Sequence, residues 1–194
     1  YYATPVDEPG QVTQAADPVA VNLPHTWNAI DPTDSVPGYR RDASWYRKQL
    51  QIAPGPAGQR YLLYFEGANM TADVYVNGQR AGGHIGGYLG FEIDITDYLN
   101  SGGGNEILVR VDNGIDRQII PSQKADFVLF GGLTRDVYLR VRPNNYIASL
   151  QIDTPSVSSQ AATATATVSV KQYATANGPL HLEIEARQKD DVVA

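Results

Sequence analysis

The chain has 194 residues, 42% of them hydrophobic and 9% aromatic, with a formal net charge of −6 and no cysteine. A chain of that size buries roughly 70% of the surface its unfolded form exposes, so it can hold at least one packed core. The acidic balance argues against a nucleic-acid partner, and the lack of thiols excludes disulfides and thiolate metal sites.

No run of apolar residues is long enough to span a membrane. His25, His84 and His181 lie far apart without ligand spacing, which speaks against zinc. The chain opens at Tyr1 and not at Met. Its beginning therefore reads as trimmed, by signal cleavage or by design, and a periplasmic or secreted setting is favoured.

Residues 1 to 20 are polar, carry Pro5, Pro9 and Pro18, and read as an irregular lead-in. A proline-punctuated loop, "VNLPHTWNAIDPTDSVPGYRRDAS", follows. The first strand is "SWYRKQLQI", in which Tyr46, Lys48, Leu50 and Ile52 alternate with Trp45, Arg47, Gln49 and Gln51. After the turn "APGPAGQ", the nearly continuous apolar run "RYLLYFEG" predicts a second strand. "ADVYVNGQRAGG" predicts a hairpin, since Asn77-Gly78 suits a type I′ turn that needs φ > 0 at both positions.

"FEIDI" places Phe91, Ile93 and Ile95 on one face, and "TDYLNSGGGN" reads as a short capped turn. "EILVRVDN" and "DVYLRVRP" are two further alternating strands. No segment keeps a 3.6-residue apolar period, so the chain reads as all-β. About seven strands in roughly 140 residues fit a two-sheet sandwich or jelly roll. From Pro143 the character changes: "ATATATVSVKQY" and "LHLEIEARQ" alternate strictly and read as the opening strands of a second β-sandwich. Roughly fifty residues remain there, where an immunoglobulin-like sandwich needs about 100. The boundaries expected are 1–142 and 143–194, with the second domain truncated.

One stretch, "PSQKADFVLFGGLTRDVYL" at 121–139, sets Asp126 before four apolar residues and a Gly-Gly pair that breaks any helix. With "LPHTWN" at 23–28, "WYRK" at 45–48, "FEGANMTADVYVNG" at 65–78 and "GGHIGGYLGFEIDIT" at 83–96, it resembles the N-terminal sugar-binding domain of family 2 glycoside hydrolases. That family comprises β-galactosidases, β-glucuronidases and β-mannosidases. The order and spacing of the motifs match the family over roughly residues 20 to 142, and the stretch from 143 is similar to the start of its next, immunoglobulin-like domain.

The resemblance implies a galactose-binding-like jelly roll, an immunoglobulin-like sandwich and a (β/α)₈ barrel that would begin past Ala194. In the family the barrel holds the two catalytic glutamates of a retaining mechanism. No catalytic residue is therefore assigned here. The resemblance does assign two sugar contacts, Asn69 and Asp126, which would reach the barrel's mouth and bind a β-linked galactoside or related glycan. A charged acceptor such as Asp126 makes the stronger kind of hydrogen bond. In some members the equivalent acid also helps to hold sodium; no other cofactor is implied. The domain would pack on the barrel of its own full-length chain.

Plainer roles compete at each position. Asp126 could satisfy loop amides, and Asn69 could simply end a strand. His84 is expected in a tight loop, bonded to backbone, and Arg135-Asp136 as a structural ion pair. Trp27 and Trp45 are expected to pack the sandwich. Asp94 with Asp97, and Asp112 with Asp116, read as solvated loop acids. At the level of function, the leading reading is the N-terminal region of a β-galactosidase-like exo-hydrolase. A β-glucuronidase-type member, a free-standing carbohydrate-binding module and an oligomerisation module stand beside it. The reading frame beyond Ala194 would separate them.

Overall fold

The computed structural model describes residues 1–52, 58–100, 102–120, 127–173, 179–188 and 191–192. The chain divides into two units, Tyr1–Pro143 and Asn144–Ala194.

The first unit is a two-sheet sandwich. Its strands are β1 (Ala43–Gln51), β2 (Gln59–Phe65), β3 (Thr71–Val76), β4 (Gln79–Ile85), β5 (Phe91–Asp94), β6 (Gly104–Asp112) and β7 (Val137–Pro143). One sheet has the order β1-β6-β3-β4 and the other β5-β2-β7, with every pair antiparallel. Alternate residues point to one face of each strand, so Tyr46, Val74 and Val109 from the first sheet meet Leu63, Phe65 and Ile93 from the second. Phe65 and Phe91 stack at 4.8 Å. Burying each such side chain stabilises the fold by about 1.5–3 kcal/mol.

The expected hairpin forms at Asn77 (φ 51°) and Gly78 (φ 79°), between β3 and β4. The Asn77 side chain also donates to Tyr98 O (2.8 Å) and Asn105 Oδ1 (2.9 Å), and accepts from the Glu106 N–H (2.9 Å). The turn is thereby tied to the start of β6. Phe91, Ile93 and Ile95 are all buried, as their alternation predicts.

The lead-in is more ordered than its polarity predicts. Tyr2 and Trp45 exchange backbone hydrogen bonds at 2.7 and 3.0 Å, and a short helix α1 (Val12–Ala15) buries Val12 completely. Tyr2, Val12, Trp45 and Leu108 form a second cluster on the outer face of the first sheet. Trp45 and Tyr46, which point to opposite faces, are therefore both buried.

Asp94 is no solvated loop acid. It ends β5, and its Oδ1 accepts from the Thr96 N–H (3.0 Å) and hydroxyl (2.7 Å) while Arg60 donates to Oδ2 at 2.8 and 3.0 Å. Burial pushes its carboxyl up, but the Thr96 and Arg60 hydrogen bonds outweigh that and hold it below the usual carboxylate range. A depressed folded value means the stabilisation is fully present above about pH 3.9, the unfolded value, and is lost as pH falls through the lower folded one. Asp94→Asn should therefore weaken the fold at pH 6 and flatten the loss seen on acidification, measured by denaturant unfolding from pH 6 to 3. A variant as stable as the parent at pH 6 would contradict this.

In the second unit, β8 (Asn145–Val157) and β9 (Ala162–Gln172) pair as a long antiparallel hairpin, and β10 (Arg187–Gln188) pairs with β11 (Asp191–Val192). The strand expected for "LHLEIEARQ" forms only at its end, in β10. Leu180, Leu182 and Ile184 stand exposed. Alternation alone does not make a strand; it also needs a hydrogen-bonded neighbour, and residues 180–186 have no such ladder among the described residues.

Candidate functional site

Asn69 lies between β2 and β3, and Asn69-Met70 is a cis peptide. Its backbone faces Gly132: the Asn69 N–H donates to Gly132 O (3.0 Å) and the Gly132 N–H to Asn69 O (3.5 Å). Its side chain is 2% exposed. Nδ2 donates to Phe130 O, while Oδ1 has no partner and lies against Gly87, where any Cβ would collide with it. In this chain the Asn69 amide thus holds the segment that follows Asp126 in sequence. Asp126 itself lies outside the described residues, and the sodium that the resemblance attaches to it falls outside with it.

Two more asparagines hold the same segment. Asn28 Nδ2 donates to Arg40 O (3.2 Å) and Leu129 O (3.1 Å), and its Oδ1 accepts from the Gly131 N–H (2.9 Å). Asn113 Nδ2 donates to the same two carbonyls, at 3.2 and 2.9 Å, and its Oδ1 accepts from the Asp42 N–H (2.9 Å). Both residues are fully buried. A buried amide is stable only when its donors and acceptor are matched, and these two are matched on both ends.

On its other side the segment pairs with residues 25–27. The His25 N–H donates to Leu133 O (2.8 Å) and the Trp27 N–H to Gly131 O (3.1 Å). His25 Nδ1 and Tyr46 Oη are hydrogen-bonded at 2.8 Å, and the Leu133 N–H donates to that hydroxyl at 3.3 Å. Burial pushes the Tyr46 hydroxyl well above the usual phenol range, so it remains neutral. Burial also lowers His25, as does the charge of the chain's amino terminus.

Beside this platform is a cleft of about 300 Å³ lined by Thr26, Asn69, Tyr88, Phe130, Thr134 and Arg135. A larger cavity, about 510 Å³, opens between β1 and β7 and is mostly apolar, with Leu50, Leu63 and Val109 in its walls. The polar groups converge on the smaller cleft.

The other sequence candidates have structural roles. His84 lies in β4, not in a loop, and stacks on Phe91 at 4.2 Å; its ring nitrogen makes no backbone hydrogen bond, because the ring lies flat against the aromatic core. Arg135 and Asp136 do not pair with each other. The Arg135 guanidinium turns toward Glu66 O and Tyr88 O (3.5 Å each), while Asp136 accepts from the Tyr138 hydroxyl (3.3 Å), so each finds its contacts elsewhere. Trp45 is buried with its indole N–H on Val6 O (2.8 Å), and Trp27 packs under Arg40. Asp112 pairs with Arg110 at 3.2 Å and caps Gly114, whereas Asp116 accepts from the Gln118 N–H. Asn28 and Asn113 were not singled out from the sequence. Their only signal is that "TWN" and "VDN" each end a motif in Asn. Among the described residues no cluster of three His, Cys, Asp or Glu could hold a metal, and no helix is long and apolar enough to cross a membrane.

Residues 6–143 match the family model described as the sugar-binding domain of glycosyl hydrolases family 2. A relative from Formosa agariphila is 52% identical over 171 residues, covering 88% of this chain and 20% of the relative. A Bacteroides fragilis β-glucuronidase is 41% identical over 137 residues, 71% of this chain and 20% of that protein. The crystal structure of a Bacteroides uniformis β-glucuronidase matches with a TM-score of 0.70 at 34% identity, over 80% of this chain and 18% of that one. The chain thus spans about one fifth of these relatives. With the sandwich, the motif order and the matched residues in agreement, the chain belongs to glycosyl hydrolase family 2, and residues 6–143 are its sugar-binding domain.

Proposed function

We propose that the chain is the N-terminal, non-catalytic region of a retaining exo-β-glycosidase, which scaffolds a (β/α)₈ barrel and lends it sugar contacts. The observation that supports this most directly is the asparagine platform. Three buried side chains from separate parts of the chain hold residues 129–131, so the segment that follows Asp126 in sequence is fixed beside Asn69 from Leu129 to Gly131. Rigid support of this kind is what a substrate-contacting loop needs. Asn69 and Asp126 are the proposed sugar contacts. The two carboxylic acids of the retaining mechanism would come from the barrel. The unit from Asn144 would be the start of the family's immunoglobulin-like domain.

The Asp126 loop, read by resemblance, suggests a galactoside as the terminal sugar. A glucuronide is the second reading, favoured by the names of the Bacteroides relatives above. The 194-residue chain is expected to hydrolyse neither aryl β-galactoside nor aryl β-glucuronide, whereas the protein from the complete reading frame should hydrolyse one of them. Turnover by the chain alone that disappears with Asp126→Ala would overturn the proposal, as would a complete protein inert toward every β-glycoside.

A further inference from the structure

The chain contains three Asn-Gly steps, at 77–78, 113–114 and 177–178. The last lies outside the described residues. Such steps are chemically labile, because a glycine has no side chain to hinder attack by its own backbone nitrogen on the preceding amide. The Gly nitrogen loses its proton and bonds to the Asn Cγ, the Cγ–Nδ2 bond breaks, and Nδ2 leaves as ammonia with that proton. Water then opens the cyclic imide at either carbonyl. The product is aspartate or isoaspartate, so a neutral amide becomes a carboxylate.

Asn113-Gly114, just past β6, is held against every part of this reaction. Asn113 is fully buried, and its Nδ2 faces the Arg40 and Leu129 carbonyls, which cannot hand a departing nitrogen its proton. The Asp42 N–H fixes Oδ1 at 2.9 Å, and Arg41 Nε donates to the Asn113 O at 3.1 Å. Side chain and backbone are thus both pinned. The attacking group is engaged as well: the Gly114 N–H donates to Asp112 Oδ1 at 2.7 Å, and a carboxylate there opposes loss of the proton. A bulkier residue at 114 would remove the lability, but its Cβ would come within 2.8 Å of that same oxygen.

This protection lasts only as long as the contacts do. Arg40, Asp42 and Leu129 lie outside the strands, in irregular segments that open at lower free energy than the interior of a sheet. Asn77 is the contrast. Its amide is matched to Tyr98 O, Asn105 Oδ1 and the Glu106 N–H, and the last two belong to β6, an interior strand of its sheet.

We propose that Asn113-Gly114 is a self-modification site gated by the fold. Opening of the 129–131 segment exposes it to deamidation, and the carboxylate formed keeps the segment from closing again. An acid at 113 sets negative charge against two buried carbonyls, and the isoaspartate form also lengthens the backbone at the end of β6. A transient opening becomes a permanent one. Nothing in this depends on which sugar the domain meets.

Ageing of the 194-residue chain in mildly alkaline buffer, followed by peptide mapping with mass detection, tests the site. In urea that unfolds the chain, Asn77 and Asn113 should convert at similar rates. In buffer alone both should slow, Asn113 by about 10-fold and Asn77 by about 100-fold or more. Urea held below the unfolding transition should speed Asn113 alone. Asn28→Ala, which removes a second anchor of Leu129 and Gly131, should do the same without urea. The converted species, isolated by anion exchange through its added charge, should melt below the parent and remain so in fresh buffer. Three results would each overturn the proposal: Asn113 converting no faster than Asn77 in buffer, both steps accelerating together below the transition, or a converted species that melts with the parent.

Discussion

Asn113→Ala is expected to destabilise the chain by about 2–4 kcal/mol, although it removes only a small side chain from the edge of the sandwich. Asn113 is fully buried and makes three hydrogen bonds, to Arg40 O, Leu129 O and the Asp42 N–H. Each contributes about 1 kcal/mol net, and a buried partner left unpaired costs about 1–3 kcal/mol more. Leu129 O would retain Asn28, so the loss should stop short of unfolding. Asn113→Asp should be no milder at pH 7. It keeps an acceptor for Asp42, but turns the donating side into a carboxylate facing two carbonyls. Urea unfolding of both variants is the measurement, and values within about 0.5 kcal/mol of the parent would refute the clamp.

Gly132→Ala should cost about 3 kcal/mol or more, for two reasons that add. Gly132 has φ of 136°, a region that residues with a Cβ rarely adopt. A Cβ there would also strike His25 O and come within 2.7 Å of the Tyr46 hydroxyl. Neither neighbour can retreat freely: His25 is paired to Leu133, and Tyr46 is buried in the core. Because Gly132 exchanges backbone hydrogen bonds with Asn69, the strain is delivered to the proposed sugar contact as well. Gly10→Ala is the control, since nothing lies within 4 Å of the added methyl. Its effect should remain within about 0.5 kcal/mol. If the two variants melt together, the close packing at Gly132 has no energetic weight.

Much of the sandwich is legible in the chain as written. Period-2 alternation marks Phe91, Ile93 and Ile95 as one buried face, and Asn77-Gly78 announces its hairpin, because strand pleat and turn chemistry act over two to four residues. The motifs between "LPHTWN" and "DFVLFGGLTRDVYL" also carried the family, and with it the expectation that Asn69 matters.

Other features depend on partners that no local pattern reveals. The lead-in looks irregular, since one buried Val12 among polar residues has no period, and only the outer face of β1 makes it a cover for Trp45. The alternation of "LHLEIEARQ" predicts a strand that lacks a described neighbour, so the pattern by itself did not suffice. Asn28 is chemically the same letter in a turn or in a buried clamp, and its partner Leu129 is 101 residues away. Arg135 beside Asp136 reads as a pair, yet the guanidinium turns to the carbonyls of Glu66 and Tyr88 and the carboxylate to the Tyr138 hydroxyl. Short-range sterics and hydrophobic periodicity are written into neighbouring residues, whereas the matching of a buried amide exists only once distant segments have met.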